Sequence, residues 1–520
     1  MVLAQPDMIS RIDKLAAEKL GIPTRELMLR AAEAVAKAVR DNLPCGSGVL
    51  VFAGKGNNGG DGYAAAHLLM QDYRVAVYDV FGAGQRSDEG RFYLDTYLAS
   101  GGQVRALTLD SDTRKNIESA DCIIDAVFGT GFSGEYPEIT EELAEIFTSC
   151  KKALKIAIDV PLGVNASTGS IDPRAVYGAD VTVVLGFIKP GLISYPAKKY
   201  VGKLIYDNIG LQNNAVMNEF CFNDHAIDYD LATSLIPKRP DNSSKGTFGK
   251  LLLVTGSSHY PGAARLSLEA ALRSGVGLTT YLGEKELCDA LSVTFPEAIY
   301  TPVSIHGIDR DGLRTAMETA ARHSAVLVGS GSSRSDGLYR LLNELLTTDG
   351  APLILDADAI NVLAEKGEEG RALIRECRRS VVLTPHPLEL SRLIGISVDE
   401  VQSDRLAIAK SFAAEYSCIL VLKGAATIVT DAGKTFINTS GSSALAKAGS
   451  GDVLAGMLAS VVASGTDPLS AAVLSVYFHG YAADVLASEL SELGVTPSDL
   501  PREIARQLSK ALLSKNTVTG

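Results

Sequence analysis

A chain of 520 residues with a formal net charge of −12 is too long for one compact core and has no overall positive charge to attract nucleic acid or an anionic membrane. Its composition, 46% hydrophobic, 21% charged and 6% aromatic with 49 glycines, is that of a globular protein and excludes disorder, collagen and coiled coil. Seven cysteines at 45, 122, 150, 221, 288, 377 and 418 form neither CxxC pairs nor a small disulfide framework, which reads as reduced thiols in a cytoplasmic protein.

Residues 1–13 carry Asp7, Arg11 and Asp13 and lack an apolar signal core, so export is not expected. From Thr24 to Asn42 the apolar residues Leu27, Ala31, Val35, Ala38 and Val39 recur at helical spacing, and Pro44 and Gly46 close the helix. Short Val- and Ile-rich runs follow at Val49–Phe52, Val75–Val80, Cys122–Val127, Ile156–Val160, Val181–Leu185 and Leu204–Tyr206, spaced widely enough for helices between them. That alternation predicts a parallel sheet covered on both faces. The pattern decays through 208–239, and a second α/β series begins with Leu251–Val254, Thr279–Leu282 and Ala325–Val328. It continues with Leu353–Leu355, Val381–Leu383, Ile419–Leu422 and Thr427–Thr430. Two domains are expected, 1–215 and 225–520, each α/β. No run of about 18 apolar residues is evident, and the most apolar stretch, Val453–Val462, reads as a buried helix.

In the first half, strand Val49–Phe52 runs into Gly54, Gly56 and Gly59 and then a helix expected from Tyr63 to Met70, with Asp79 about 20 residues on. This satisfies a GxGxxG dinucleotide pattern, in which glycines let backbone N–H groups approach a phosphate, but the match is weak alone. No Gly-Lys-Ser/Thr follows, so Walker A is excluded. Asn57, Asn58 and Asp61 are more polar than a pyrophosphate turn needs. Asp125 and Asp159 also fall at strand ends, where either could simply cap a loop; together with Asn58 they form a set of hard oxygen donors suited to a cation other than zinc.

In the second half, Ala448-Gly449-Ser450-Gly451-Asp452 opens an apolar helix, an arrangement that can stabilise an anion and place Asp452 as a general base. Alone it would equally be an acidic first turn favoured by the helix dipole. Strand Ile419–Leu422 delivers Lys423-Gly424-Ala425-Ala426-Thr427, suited to nucleotide phosphates, and Val381–Leu383 delivers His386 and Glu389. Glu389 suits Mg²⁺ held through water, and His386 is either a ligand or a loop-packing imidazole.

The segments GIPTRELMLRAA, AGKGNNGGDG, DAVFGTGFSGE and DVPLGVNASTG resemble the epimerase domain of bifunctional NAD(P)H-hydrate repair enzymes over about 1–212. FGKLLLVTGSSHYPGAARLSLEAALRSGVGLTT, VLVGSGSS, LILDADAIN, TPHPLE, VLKGAATIVT and AKAGSGDVLAGM resemble the family's ribokinase-like, ADP-dependent dehydratase over about 225–512. The resemblance implies a Rossmann-like three-layer α/β/α domain followed by a ribokinase-like α/β domain. It implies exchange of the R and S hydrates, and ADP-dependent dehydration of the S form with AMP and phosphate as products. In the first site it implies substrate contacts at Asn57, Asn58, Gly59, Gly60, Asp61, Gly129, Thr130, Gly131, Phe132, Ser133, Gly134, Glu135 and Asp159, with Asp159 as the acid/base. Potassium is implied at Asn58, Asp125 and Leu162. The family usually has Ser where Leu162 stands, so a hydroxyl ligand would be lost and a backbone one kept. In the second site it implies substrate at Gly331, His386 and Asp452, and nucleotide at Lys423, Gly424, Ala425, Ala426, Thr427, Gly449 and Gly451, with Mg²⁺ at Glu389. The family's Gly-Pro-Gly is here Gly329-Ser330-Gly331. The expected partners are the small molecules NAD(P)H hydrate and ADP, without nucleic acid or membrane, in a homo-oligomer. The rivals are a vitamin or sugar kinase fused to a NAD-binding module, and a first half that only binds.

Overall fold

The structure is a computed structural model that describes residues 1–19, 21–82, 84, 86–132 and 134–518. The chain divides into two compact units, Val2–Asp224 and His225–Gly520 together with Met1.

The first unit is built on seven parallel strands: β1 Gly48–Ala53, β2 Arg74–Asp79, β3 Val104–Ala106, β4 Cys122–Ala126, β5 Leu154–Ile158, β6 Val181–Leu185 and β7 Lys203–Asp207. They lie in the order β3-β2-β1-β4-β5-β6-β7. All of β4 and β6 is buried, as their unbroken Cys/Ile and Val runs require of a sheet with no solvent face. One face is covered by α1 Pro6–Lys19, α2 Thr24–Asn42 and α3 Asn57–Leu69, which bury Ile9, Ile12, Val35, Val39, Tyr63 and Leu69 against Val51 and Ile124. The helices Ser111–Glu118 and Glu138–Ser149 cover the other with Ile117, Leu143 and Phe147. The strand order reverses between β1 and β4, so a crevice opens at their carboxyl ends.

The helix expected from Tyr63 begins six residues earlier, at Asn57. Its early start rests on close packing. A Cβ on Gly54 would stand 1.9 Å from the Val127 carbonyl oxygen, one on Gly59 2.1 Å from that of Gly54, and one on Gly62 2.6 Å from Ala126 Cβ. These glycines press α3 onto the sheet, and only Gly56, with nothing within 4 Å of its Cβ position, faces open space.

The second unit contains β8 Asp224–Ile227, β9 Lys250–Val254, β10 Leu278–Gly283, β11 Ile299–Pro302, β12 Ala325–Val328, β13 Leu353–Leu355, β14 Val381–Leu383, β15 Ile419–Leu422, β16 Ile428–Thr430 and β17 Thr435–Asn438. The sheet order is β11-β10-β9-β12-β13-β14-β15-β16-β17-β8. Pairs from β11 through β15 are parallel, whereas β15–β16 and β16–β17 are antiparallel. Helices Ser450–Ala463 and Pro468–Gly494 form the middle of the core. The longer is apolar enough to pass as a membrane span by length and composition, and 72% of its most apolar window is buried inside the unit. Small residues such as Ala471, Ala472, Gly480, Ala482 and Ala483 masked that length in the sequence.

Candidate active sites

In the first unit a cleft of ≈ 560 Å³ lies over the crevice, lined by Asn57, Asn58, Asp61, Gly129, Thr130, Gly131, Phe132 and Asp159, together with Asp13 and Lys189. Gly134 and Glu135 line a neighbouring cleft of ≈ 870 Å³ that shares Phe128–Phe132 with it. Gly59 and Gly60 do not line either cleft, contrary to expectation. Both are buried in α3, where a Cβ on Gly60 would meet Met28 Cε at 2.6 Å. Ser133 lies outside the described residues.

Asp159 follows β5 with φ 66°, a left-handed backbone that costs a non-glycine residue of order 1–3 kcal/mol and marks functional positions. Its Oδ1 accepts the Leu185 N–H at 3.2 Å and pairs with the Lys189 ammonium. Lys189 is 1% exposed and also donates to the Leu185 carbonyl at 2.9 Å. Asp61 and Asp13 belong to the same electrostatic cluster: burial, then the charges of Asp159 and Asp13, hold the Asp61 carboxyl well above the usual range. Burial pushes Asp13 up to about 6 against the pull of Lys189. Three carboxylates share one ammonium, and Asp159 is the one in direct contact with it. Neighbouring carboxyl groups in unlike environments, one pushed up by burial and one paired with an ammonium, suit paired acid and base work. Neither Asp13 nor Lys189 was singled out in the sequence.

Asp125, at the end of β4, is fully buried. Its Oδ1 accepts Val127 N–H at 3.1 Å, and its Oδ2 accepts Leu162 N–H at 2.8 Å and Tyr177 O–H at 3.0 Å. Burial pushes it up to about 6, and among the described residues no ammonium or guanidinium opposes this. Asn58 is turned by its Nδ2, which donates to the Phe128 carbonyl at 2.8 Å. Leu162 buries its side chain in the apolar cluster with Phe147 and Tyr177, so only its main chain can serve a cation. Asp79, which the dinucleotide pattern would place on a ribose, instead pairs with Arg86.

In the second unit the carboxyl ends of β12 to β15 bring a second group together. Lys423 Nζ lies 2.7 Å from Asp356 Oδ1 and 4.0 Å from Glu389 Oε2. Asp356 also accepts Ser330 Oγ at 2.8 Å and Thr384 Oγ1 at 2.6 Å. A Cβ on Gly451 would stand 3.4 Å from Lys423 Nζ, so the β15 turn and the Gly449–Asp452 segment meet. The helix after that segment starts at Ser450, with Gly449 as its N-cap at φ 102° and Asp452 in its first turn. Burial first, then Asp356, raises the Asp452 carboxyl to about 7 against the opposing Lys423 charge.

The Lys423–Thr427 turn is closed by Thr427 Oγ1 donating to the Gly424 carbonyl at 2.8 Å, so that hydroxyl is committed to the turn. His386 and Glu389 form a capping box on the helix Pro387–Ile394: Glu389 N–H donates to His386 Nδ1 at 3.1 Å and Glu389 Oε2 accepts His386 N–H at 2.8 Å. Both therefore have a structural task; the His386 side chain remains 45% exposed, with its Nε2 3.4 Å from Glu389 Oε1. Gly331, at φ 63°, packs against Ala263 and Tyr260, where a Cβ would come within 2.5 Å. Asp356, which the sequence reading left without a role, is the residue that joins Lys423 to this site.

A reversed α/β sheet with a charged cleft at its strand ends, followed by a second whose Asp452-bearing helix meets a Lys-Gly turn, defines a two-site α/β enzyme. Residues 24–191 match the family described as YjeF-related protein N-terminus, and 251–506 match NAD(P)H-hydrate dehydratase. The bifunctional NAD(P)H-hydrate repair enzyme of Coxiella burnetii is 34% identical over 502 residues, 96% of this chain and 98% of the relative. That of Escherichia coli is 33% identical over 516 residues, covering 98% and 94%. A ribokinase-like superfamily protein of Enterococcus faecalis of known structure is 26% identical with a TM-score of 0.50, covering 56% of this chain and 98% of its own. The ADP/ATP-dependent NAD(P)H-hydrate dehydratase of Bacillus subtilis, co-crystallised with ATP and Mg²⁺, is 31% identical with a TM-score of 0.49, covering 55% and 98%. The chain belongs to the bifunctional NAD(P)H-hydrate repair enzymes.

Proposed function

We propose that this chain repairs hydrated nicotinamide nucleotides in two steps. The first unit exchanges the R and S hydrates of NAD(P)H, and the second returns the S form to NAD(P)H while ADP becomes AMP and phosphate. The observation that carries the reading is Asp452, a carboxyl raised to about 7 at a helix N-terminus beside Lys423. A base with that affinity takes a proton at neutral pH, and the helix amides stabilise the charge that develops next to it.

In the second site Asp452 removes the proton of the ring hydroxyl as its oxygen attacks the terminal phosphorus of ADP, and AMP leaves. Phosphate then leaves with the electrons of the ester C–O bond as the ring carbon–carbon double bond forms, and the neighbouring carbon gives its proton to the departing phosphate. Lys423 and the turn amides hold the nucleotide phosphates. Glu389 and Asp356 give two carboxylates to one ammonium, a donor set that fits a divalent cation. Glu389 would hold Mg²⁺ through water, and the ion would neutralise phosphate oxygens.

In the first site Asp61 gives its proton to the ring hydroxyl, water leaves, and the ring nitrogen's lone pair stabilises the cation that remains. Asp159 takes a proton from the water that returns to the opposite face. Lys189 holds the Asp159 carboxylate in place for this task. The buried, uncompensated Asp125 with Asn58 and main-chain oxygens fits a potassium ion, which would supply the missing positive charge beside the substrate.

The test follows R and S hydrates over time with and without ADP. Exchange without nucleotide and loss of the S form only with nucleotide are expected. Exchange no faster than in buffer, or phosphorylation of vitamins or sugars in place of hydrate, would reject the reading.

A further inference from the structure

Arg405 opens the helix Arg405–Tyr416 and lies under the Lys423–Thr427 turn with only 8% exposure. Its Nη1 donates to the Ala425 carbonyl at 2.8 Å, and its Nη2 to those of Leu422 and Lys423, each at 3.1 Å. Its buried Nε has no partner. Among the described residues no carboxylate pairs with it, and Asp404 beside it spends Oδ1 on the Ala407 N–H at 3.0 Å. Burial alone acts on the guanidinium, lowering it to about 10. A buried charge held only by neutral carbonyls is costly unless a counterion comes close.

The turn shows where that counterion would come from. The turn carbonyls of Lys423 and Ala425 and that of Leu422 at the end of β15 are turned toward Arg405, and the Lys423 N–H donates to the Pro385 carbonyl at 2.9 Å. Gly424 at φ 136° and Ala426 at φ 54° supply the left-handed backbone such a reversal needs. Gly424 and Ala425 are exposed, and Lys423 Nζ faces Gly451, whose Cβ position is 3.4 Å away.

We propose that Arg405 is a positioning residue for the phosphate cradle: it shapes the turn from beneath, and its charge is balanced by the phosphate of the bound nucleotide across the turn. This rests on reading Lys423–Thr427 as the nucleotide site.

The experiment titrates the full-length protein with ADP and with adenosine, which has the same base and sugar but no phosphate. It compares wild type, Arg405→Met, Arg405→Lys and Lys423→Met. Arg405→Met should weaken ADP at least tenfold and leave adenosine within twofold, with Arg405→Lys between it and wild type because the charge remains but reaches fewer carbonyls. An unchanged calorimetric melting transition of the second unit checks that it is folded. Should Arg405→Met fail to fold, Arg405→Lys carries the comparison with a threefold or greater loss confined to ADP. Equal losses of ADP and adenosine would overturn the proposal and leave Arg405 a scaffold residue. ADP weakened by Lys423→Met but not by either Arg405 variant would overturn the proposal and keep the cradle. ADP unaffected by all three would overturn the cradle as well.

Discussion

Replacing Asp452 by Asn should inactivate the second unit and stabilise it at alkaline pH. The rise of this carboxyl from 3.8 to about 7 means that ionising it in the folded chain costs about 4 kcal/mol more than in the unfolded chain. Between those two values the folded chain holds a proton that the unfolded chain has lost. Stability therefore declines as pH rises from 3.8 through about 7 and stays lower above it. Asn has no proton to lose, so the variant avoids the decline. With an unfolding entropy near 2 cal/mol/K per residue, relief of ~4 kcal/mol raises Tm by about 6 °C for a unit of this size. Calorimetric melting of both proteins from pH 5 to pH 9 should show a gap that is already open at the acid end, widens toward neutrality and reaches a plateau above it. Dehydration should meanwhile fall by about 10² or more. A Tm difference independent of pH, or turnover above about a tenth of wild type, would refute the assignment of Asp452 as the base.

Lys189→Met should abolish R/S exchange and cost about 3–5 kcal/mol in denaturant melts by stranding buried Asp159, and adding Asp159→Asn should recover most of that loss without activity. Asp125→Asn should remove any dependence of exchange rate on potassium, read by swapping K⁺ for a bulky organic cation; wild type insensitive to that swap would count against the ion. Gly59→Ala should cost about 3 kcal/mol or prevent soluble accumulation, because the added methyl meets backbone rather than a movable side chain. Residues 1–224 and 225–520 expressed separately should each fold, the first exchanging hydrates without nucleotide and the second consuming only the S form with ADP and Mg²⁺.

The fold was legible wherever burial on both sides of a strand leaves an uninterrupted apolar run, as in Cys122–Ala126 and Val181–Leu185. It was obscured where tertiary contact does the work. Val104–Ala106 is three residues, two of them exposed, and Ile299–Pro302 has no fully buried residue, so neither shows a period. Helix Pro6–Lys19 buries only Ile9, Ile12 and Ala16, a stripe hidden among charges. At the sites, strand-end aspartates stood out because topology places them at carboxyl ends. Lys189 and Arg405 did not, because Lys189 meets Asp159 across 30 residues and Arg405 meets the carbonyls of Leu422 and Ala425 across 17 and 20. The glycines were visible but misleading: Gly54, Gly59 and Gly62 answer to steric contact with the sheet, which sequence cannot distinguish from contact with a phosphate.

The antiparallel return from β15 to β16 has an engineering consequence. Elsewhere in the second sheet the parallel strands are joined by long crossovers that can absorb an inserted residue. The Lys423–Thr427 turn instead joins directly hydrogen-bonded strands, with Leu422 opposite Ile428. One added residue would either bulge the turn or slip that ladder and swap its buried and outward faces. With this turn as the proposed nucleotide site, attempts to give the scaffold a different phosphoryl donor should keep the length of the turn and vary the segments around it, leaving the hairpin as a fixed ruler.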